Sequence, residues 1–338
     1  MRTWAGRWVT VTLSWAAVAC ATKPAPPAGP KIQSAPLPPA SVEKMREPLE
    51  VTPLELQFSG LRGATKASES VAIKNDSNEP VPVSGIRVIG DQAETFRIVD
   101  VPLLPLLLPP ASSVSFSVVF QPHADAKPGV HHARVRILRT EDDDGPPCDL
   151  TGLVAKGRAA ADEPTLQQIL EALGYDVDVG STSLTVPVEK AGDEIFAPTF
   201  VRAKPGDVGF YLIARYTSDE DSTFGTYSVV GRKPVMRPIG SAARGHNQTL
   251  NPELQGESQT SFDPRDIAFG LFLKVGKRTL YSDDALNAGS RKHVAKVFPL
   301  RSRGHSPVQD AYVVAFDEDG NGDYQDHVFM MWNVKPAR

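Results

Sequence analysis

Asp317, Asp319, Asn321, Asp323 and Asp326 crowd the stretch FDEDGNGDYQDHVF near the C-terminus. Their pattern, D-x-D-x-N-G-D followed by a further Asp, suits a hard divalent cation. Ca²⁺ takes six to eight oxygens at about 2.4 Å, and carboxylates at alternate positions of a turn converge on one point while Gly320 and Gly322 let the backbone bend. An EF-hand is excluded, because the twelfth position counted from Asp317 is Val328, where a bidentate Glu is required. Asp326 can supply the missing carboxylate. The expected cofactor is therefore a structural Ca²⁺, with Mg²⁺ less suited to an all-protein cage; the competing reading is a solvated acidic hairpin loop.

Other candidates are weaker. Asp176 and Asp178 in GYDVDVG would share one face of a strand, as a second ion site or an acid/base pair. His131 and His132 are adjacent, so a strand would point them to opposite faces and keep them from chelating one metal. His293 and His327 flank the acidic loop in sequence; His327 reads as a solvent-facing strand residue rather than a ligand. The chain has no H-E-x-x-H, no G-x-S-x-G and no glycine-rich phosphate loop, so no catalytic residue is assigned, although an active centre of residues scattered along the chain stays open.

The elements that must position these residues begin with an export signal. Arg2 and Arg7 precede the uncharged apolar stretch Trp8 to Ala19, which as a helix rises only about 18 Å and is too short to span a bilayer, so residues 1–20 read as a signal peptide. Ala17-Val18-Ala19-Cys20 resembles a lipobox, with Ala17 where Leu is usual; the resemblance implies a lipid on Cys20 and anchorage to a membrane. The same AVA also fits an ordinary A-x-A cleavage site, which would mean plain secretion. Residues 21–50 are rich in Pro, Ala, Gly and Ser without a periodic apolar face, and read as an extended tether. Ala21 in place of Asp after the cysteine leans towards the outer membrane.

The 338 residues are 41 % hydrophobic with a net charge of −4, an ordinary globular composition. This mild acidity without a basic patch argues against a nucleic-acid partner. Two cysteines are present, Cys20 and Cys148. If Cys20 carries lipid, Cys148 has no partner and reads as a small buried hydrophobe at a strand start.

The predicted fold is all-β. Residues 51–157 hold seven expected strands, at 54–58, 69–75, 81–90, 96–99, 113–122, 131–140 and 148–155, which suggest an antiparallel sandwich. The stretch LLPLLLPP (103–110) reads as a core-covering connection or, more sharply, as an exposed docking patch. A strand ending in Lys74-Asn75, the pattern L-x-P-x-x-S-V-x-F-x-V-x-F-x-P from Leu108 to Pro122, Gly129 and the closing LTGLVA resemble the ASH or Hydin-like immunoglobulin family. That resemblance implies a non-catalytic structural or binding module.

Residues 158–338 are expected to form a second β-sandwich or jelly-roll with one short helix. The helix opens at Asp162 or Glu163 before Pro164, buries Leu166, Ile169, Leu170 and Leu173, and stops at Gly174. Strands are expected at 183–188, 207–217, 267–275, 311–316 and 327–334, with a long polar loop over 237–260. Tyr281, Ser282, Leu286, Asn287, His293, Val294, Phe316, Glu318, Asp319, Asp323, Tyr324 and Asp326 match the pattern of an uncharacterised C-terminal domain of bacterial exported proteins, from which Gln325 departs. Two functions follow as expectations. One is a non-catalytic envelope lipoprotein that presents a calcium-stiffened domain for adhesion or assembly with envelope protein or polysaccharide. The alternative is a calcium-dependent glycan-binding or glycan-hydrolysing surface protein.

Overall fold

The computed structural model describes residues 47–64, 66–158, 160–256, 258–287 and 293–337. The signal peptide, Cys20 and nearly all of the tether lie outside the described residues. The expected tether runs to residue 50, but Leu49 already enters a strand, because it and Val51 have a core to bury into.

The first ten strands are β1 (Leu49–Thr52), β2 (Glu55–Leu61), β3 (Ala67–Asn75), β4 (Val81–Val83), β5 (Gly85–Ile89), β6 (Phe96–Val99), β7 (Leu106–Leu108), β8 (Ser113–Phe120), β9 (Gly129–Leu138) and β10 (Cys148–Ala155). Eight of them form two four-stranded sheets, ordered β1-β3-β8-β6 and β2-β10-β9-β5, and β4 and β7 form a two-stranded sheet of their own. The period-2 alternation sets the packing: Phe116, Val118 and Phe120 of β8 face Ala133, Val135 and Ile137 of β9 within one core. At its centre Phe120 lies 5.7 Å from Phe58 and 5.4 Å from Phe96, ring centroid to centroid. A Cβ on Gly152 would collide with the Phe120 ring, so any larger residue at this β10 position must displace that ring.

One pair departs from the antiparallel expectation, since β10 runs parallel to β2. Only strands joined by a hairpin are obliged to be antiparallel, and the rest of the sandwich lies between these two in sequence. In the LLPLLLPP stretch β7 pairs with β4 and buries Leu108, as a core-covering connection does, while Leu103 stands 94 % exposed.

A short α-helix, α1 (Leu166–Ala172), follows, the single one among the described residues. Its N-cap is Thr165, beyond the expected start at Asp162 or Glu163. The Gln168 N–H donates to Thr165 Oγ1 at 3.2 Å while the Thr165 N–H donates to Gln168 Oε1 at 3.0 Å, a complete capping box. Gly174 closes the helix with φ +80°.

The remaining strands are β11 (Phe200–Arg202), β12 (Val208–Arg215), β13 (Ser222–Val230), β14 (Lys233–Ala242), β15 (Thr249–Leu250), β16 (Ser261–Phe262), β17 (Gly270–Val275), β18 (Arg278–Tyr281), β19 (Ala295–Ser302), β20 (Ser306–Phe316), β21 (His327–Trp332) and β22 (Val334–Pro336). A sheet ordered β15-β12-β21-β20-β19, with β16 on the other end of β12, faces a second sheet ordered β14-β13-β17-β18. Phe329 stacks on Phe210 at 4.9 Å and tilts against Phe224 at 5.0 Å in the core between them. The opposite face of the larger sheet is covered by α1 and the loop after it, through Leu166, Ile169, Leu170 and Val179 against Phe298, Val313 and Val328. Burial on both faces explains the unbroken apolar runs VGFYLIA and AYVVAF.

Residues 183–188 form no strand; only Val186 is a buried hydrophobe there. The expected loop from 237 is entered by β14, whose Pro234 and Pro238 hide its strand character; prolines are tolerated because β14 is an edge strand. The first sandwich contacts the second through Ser59, whose Oγ lies 3.2 Å from Thr249 Oγ1 and accepts the Leu250 N–H at 3.0 Å.

Candidate metal centre

The acidic residues lie between β20 and β21, whose last pair, Phe316 with His327, clamps the base of the Asp317–Asp326 loop. Asp317 organises the turn. Its Oδ1 accepts the N–H groups of Gly320 (2.7 Å) and Asn321 (3.2 Å), and its Oδ2 that of Gly322 (2.9 Å). Gly320 and Gly322 have φ of +77° and +85°, conformations that strain other side chains. Asp326 reaches back across the loop, its Oδ2 accepting the Glu318 N–H at 2.6 Å.

Asp317, Asp323 and Asp326 thereby converge, each offering a carboxylate oxygen within 4.8 Å of the others. They are only 5 %, 1 % and 3 % exposed respectively. Asp323 Oδ2 accepts from the Asn321 side-chain amide at 2.6 Å, whereas its Oδ1 is buried without a hydrogen-bond partner. Burial, reinforced by the Asp317 charge, pushes the Asp323 carboxyl up to about 7 against the pull of Asn321. Burial followed by the charges of Asp323 and Glu318 also raises Asp326 well above the usual carboxylate range.

The other two expected ligands stand elsewhere. Asp319 is exposed and its carboxylate meets Arg278 Nη1 at 2.7 Å; Asn321 is exposed and spends its amide on Asp323.

A second buried network backs the loop, and local sequence pattern scarcely signals it. Glu318 accepts from Thr217 Oγ1 at 2.6 Å, and its Oε2 lies 3.5 Å from Nδ1 of His327, whose Nε2 sits 3.0 Å from Ser222 Oγ. His327 is thus fully buried, not solvent-facing. Burial, then the charge of Arg215, holds its imidazole well below the usual range, hence neutral. Ser222, His327 and Glu318 are ordered like a nucleophile relay, but His327 Nδ1 makes no hydrogen bond and all three are buried at 1 % exposure or less, which leaves a substrate no path to the hydroxyl. Glu163, half-buried against the loop, accepts from Gln325 at 2.8 Å and from Gln248.

The residues matching the C-terminal family pattern act as ties. Asn287 closes a turn by accepting the Tyr281 N–H at 2.9 Å, Ser282 Oγ donates to Pro198 O at 2.7 Å, and Tyr324 Oη donates to His293 O at 2.6 Å. His293 bridges Glu194 (3.1 Å) and Asp284 (3.5 Å), and Glu194 binds the fully buried Lys296 at 2.5 Å.

Asp176 and Asp178 do not share a strand face, because the chain there is loop. Asp176 Oδ2 accepts the N–H groups of His305 (2.9 Å) and Gly304 (2.5 Å), which lower its pKa; Asp178 Oδ1 accepts the Gly180 N–H at 2.7 Å. His131 is buried and His132 exposed on β9, as alternation requires. Cys148 opens β10 as a fully buried free thiol, which burial pushes up to about 12.

No protein-family model matches the sequence, and no curated protein matches it. Among solved structures, the chain is similar to a family 123 glycoside hydrolase from Clostridium perfringens (12 % identity, TM-score 0.25), covering 33 % of this chain and 25 % of that one. It is also similar to the ASH/PapD-like domain 7 of human CEP192 (12 % identity, TM-score 0.26), over 38 % of this chain and 99 % of that domain. A third likeness is to the E. coli chaperone DraB (12 % identity, TM-score 0.24), over 78 % and 96 % of the two chains. None of these transfers a ligand or an activity to this chain.

Proposed function

We propose that the chain is a non-catalytic envelope lipoprotein, anchored through Cys20, whose ASH/Hydin-like sandwich and calcium-stiffened C-terminal sandwich together form a binding module for envelope protein or polysaccharide. The observation that carries the calcium reading is the burial of three converging carboxylates, one of which, Asp323, keeps an oxygen (Oδ1) without a hydrogen-bond partner. Burying like charges is costly unless a cation compensates them. Asp317, Asp323 and Asp326 would supply ligands, and their burial beneath the loop favours a structural ion over a catalytic one. Anchorage rests on the Ala17-Val18-Ala19-Cys20 sequence and the proline-rich segment after it.

Equilibrium dialysis against radioactive calcium, combined with fractionation of cells expressing the Cys20→Ser chain, tests both parts. One calcium per chain, lost in Asp323→Asn with Asp326→Asn, and release of Cys20→Ser from the membrane fraction are expected. Calcium binding unchanged in the double variant refutes the site, and a wild type found wholly in the soluble fraction refutes the anchor. Calcium-dependent binding of a glycan that the double variant also loses would support the glycan-binding alternative.

A further inference from the structure

The free end of the β13–β14 hairpin combines features that no other described segment shares. β17 pairs with β13 only as far as Tyr227, opposite Gly270, so beyond that point the hairpin continues as a two-stranded ribbon. Three further residues per strand carry it about 10 Å outward. Gly231 and Arg232 turn the chain with φ of +55° and +71°, as a tight two-residue hairpin loop requires.

The ribbon is apolar where a solvated hairpin is polar. Val229, Val230, Val235 and Met236 are 54 %, 64 %, 53 % and 44 % exposed. They occupy both faces, since Val229 shares the side of the Tyr227–Met236 pair while Val230 shares that of the Ser228–Val235 pair. A folded partner docking on one face leaves the other in water, whereas a fluid interface takes both. Strand addition by a second copy is opposed by Pro234 and Pro238 and by the register shift beside Phe224, devices that blunt an edge strand.

Charge selects the occupant. From Ser222 to Pro252 the chain has no Asp or Glu but carries Arg232, Lys233, Arg237 and Arg244, in a protein of net charge −4. Arg232, Lys233 and Arg237 are exposed, and neither Arg232 nor Lys233 forms an ion pair among the described residues. We propose that this hairpin is a membrane-contact element that lies in the headgroup layer of an anionic bilayer, its valines at the acyl boundary and its cations snorkelling to lipid phosphates. The contact is separate from lipid attachment at Cys20.

The test uses the full chain carrying Cys20→Ser, so that no lipid contributes, in co-sedimentation with vesicles of phosphatidylglycerol and phosphatidylcholine in equal parts or of phosphatidylcholine alone. Binding to the anionic vesicles only, weakened by salt, is expected. Removing each cation should cost about fivefold, so Arg232→Glu with Lys233→Glu should lower affinity about twenty-five-fold or more. Val229→Ser with Val230→Ser should abolish retention, while Val188→Ser, at an exposed valine outside the hairpin, should leave it intact. Absence of binding, equal binding to neutral vesicles, or undiminished binding by either hairpin variant overturns the proposal. So does a dimer in vesicle-free solution that the two serines dissociate, which would make the occupant a second copy. Melting curves matching the parent chain establish that the variants are folded.

Discussion

Replacing Asp323 with asparagine should remove most of the response of this protein to calcium. Two carboxylates 4.8 Å apart repel by about 3.5 kcal/mol when both are ionised at an effective dielectric of about 20, and the loop holds three such pairs. Asp323 takes part in two of them. In chelator the wild type therefore bears a penalty whenever Asp323 is ionised. Its folded pKa of about 7 stands above the ~3.9 of an unfolded Asp, so its contribution to stability is fully present below about pH 4 and is lost as pH rises through 7. At pH 8 the penalty is in place, and a bound cation relieves it. At a hundredfold excess of calcium over Kd the gain is about 2.7 kcal/mol, which for a unit of 150–250 residues raises Tm by about 5–10 °C. In Asp323→Asn the new amide would keep an oxygen for the Asn321 side chain and place an uncharged NH2 group where the unpartnered Oδ1 now lies, removing one charge from the cluster. The variant in chelator should thus melt above the wild type in chelator, and calcium should move it little. Differential scanning fluorimetry at pH 8 with millimolar calcium or with EGTA decides the matter. A wild type indifferent to both, or an Asp323→Asn chain that responds as fully as the wild type, would show that the carboxylates do not converge on an ion.

Three further outcomes follow from the packing. Lys296→Ala leaves Glu194 buried without its cation and should lower the free energy of unfolding by about 3–5 kcal/mol in urea titrations, whereas Lys296→Met with Glu194→Gln should recover most of that loss. Gly152→Ala forces a methyl into the Phe120 ring and should cost about 1–3 kcal/mol, read by the same titration; a neutral result would mean the first core is looser than its ring spacings imply. Cys148 should stay unreactive towards a disulfide reagent at pH 7.5 while the chain is folded and react at once in denaturant; prompt labelling of the folded chain would contradict its burial.

The all-β class, most strands of the first sandwich, the helix with its Gly174 stop, and the acidic turn are legible from residue order alone. Each of these is encoded locally: period-2 alternation in Val114 to Phe120, a 3.6-residue period in Leu166 to Leu173, and glycines interleaved with acids from Asp317 to Asp323. Which acids meet is settled by tertiary packing. Asp319 turns outward to Arg278, which β18 supplies, while Asp326 is drawn inward by the Glu318 N–H. Packing also buries His327, because β21 lies between β12 and β20 and both faces of that sheet are covered. β14 escapes a local reading since edge position, a property of the whole sheet, is what lets a strand carry Pro234 and Pro238. Local pattern specifies which way a side chain points along its own strand; what it meets there depends on strands distant in sequence, and the charge balance of a buried loop is set by those neighbours.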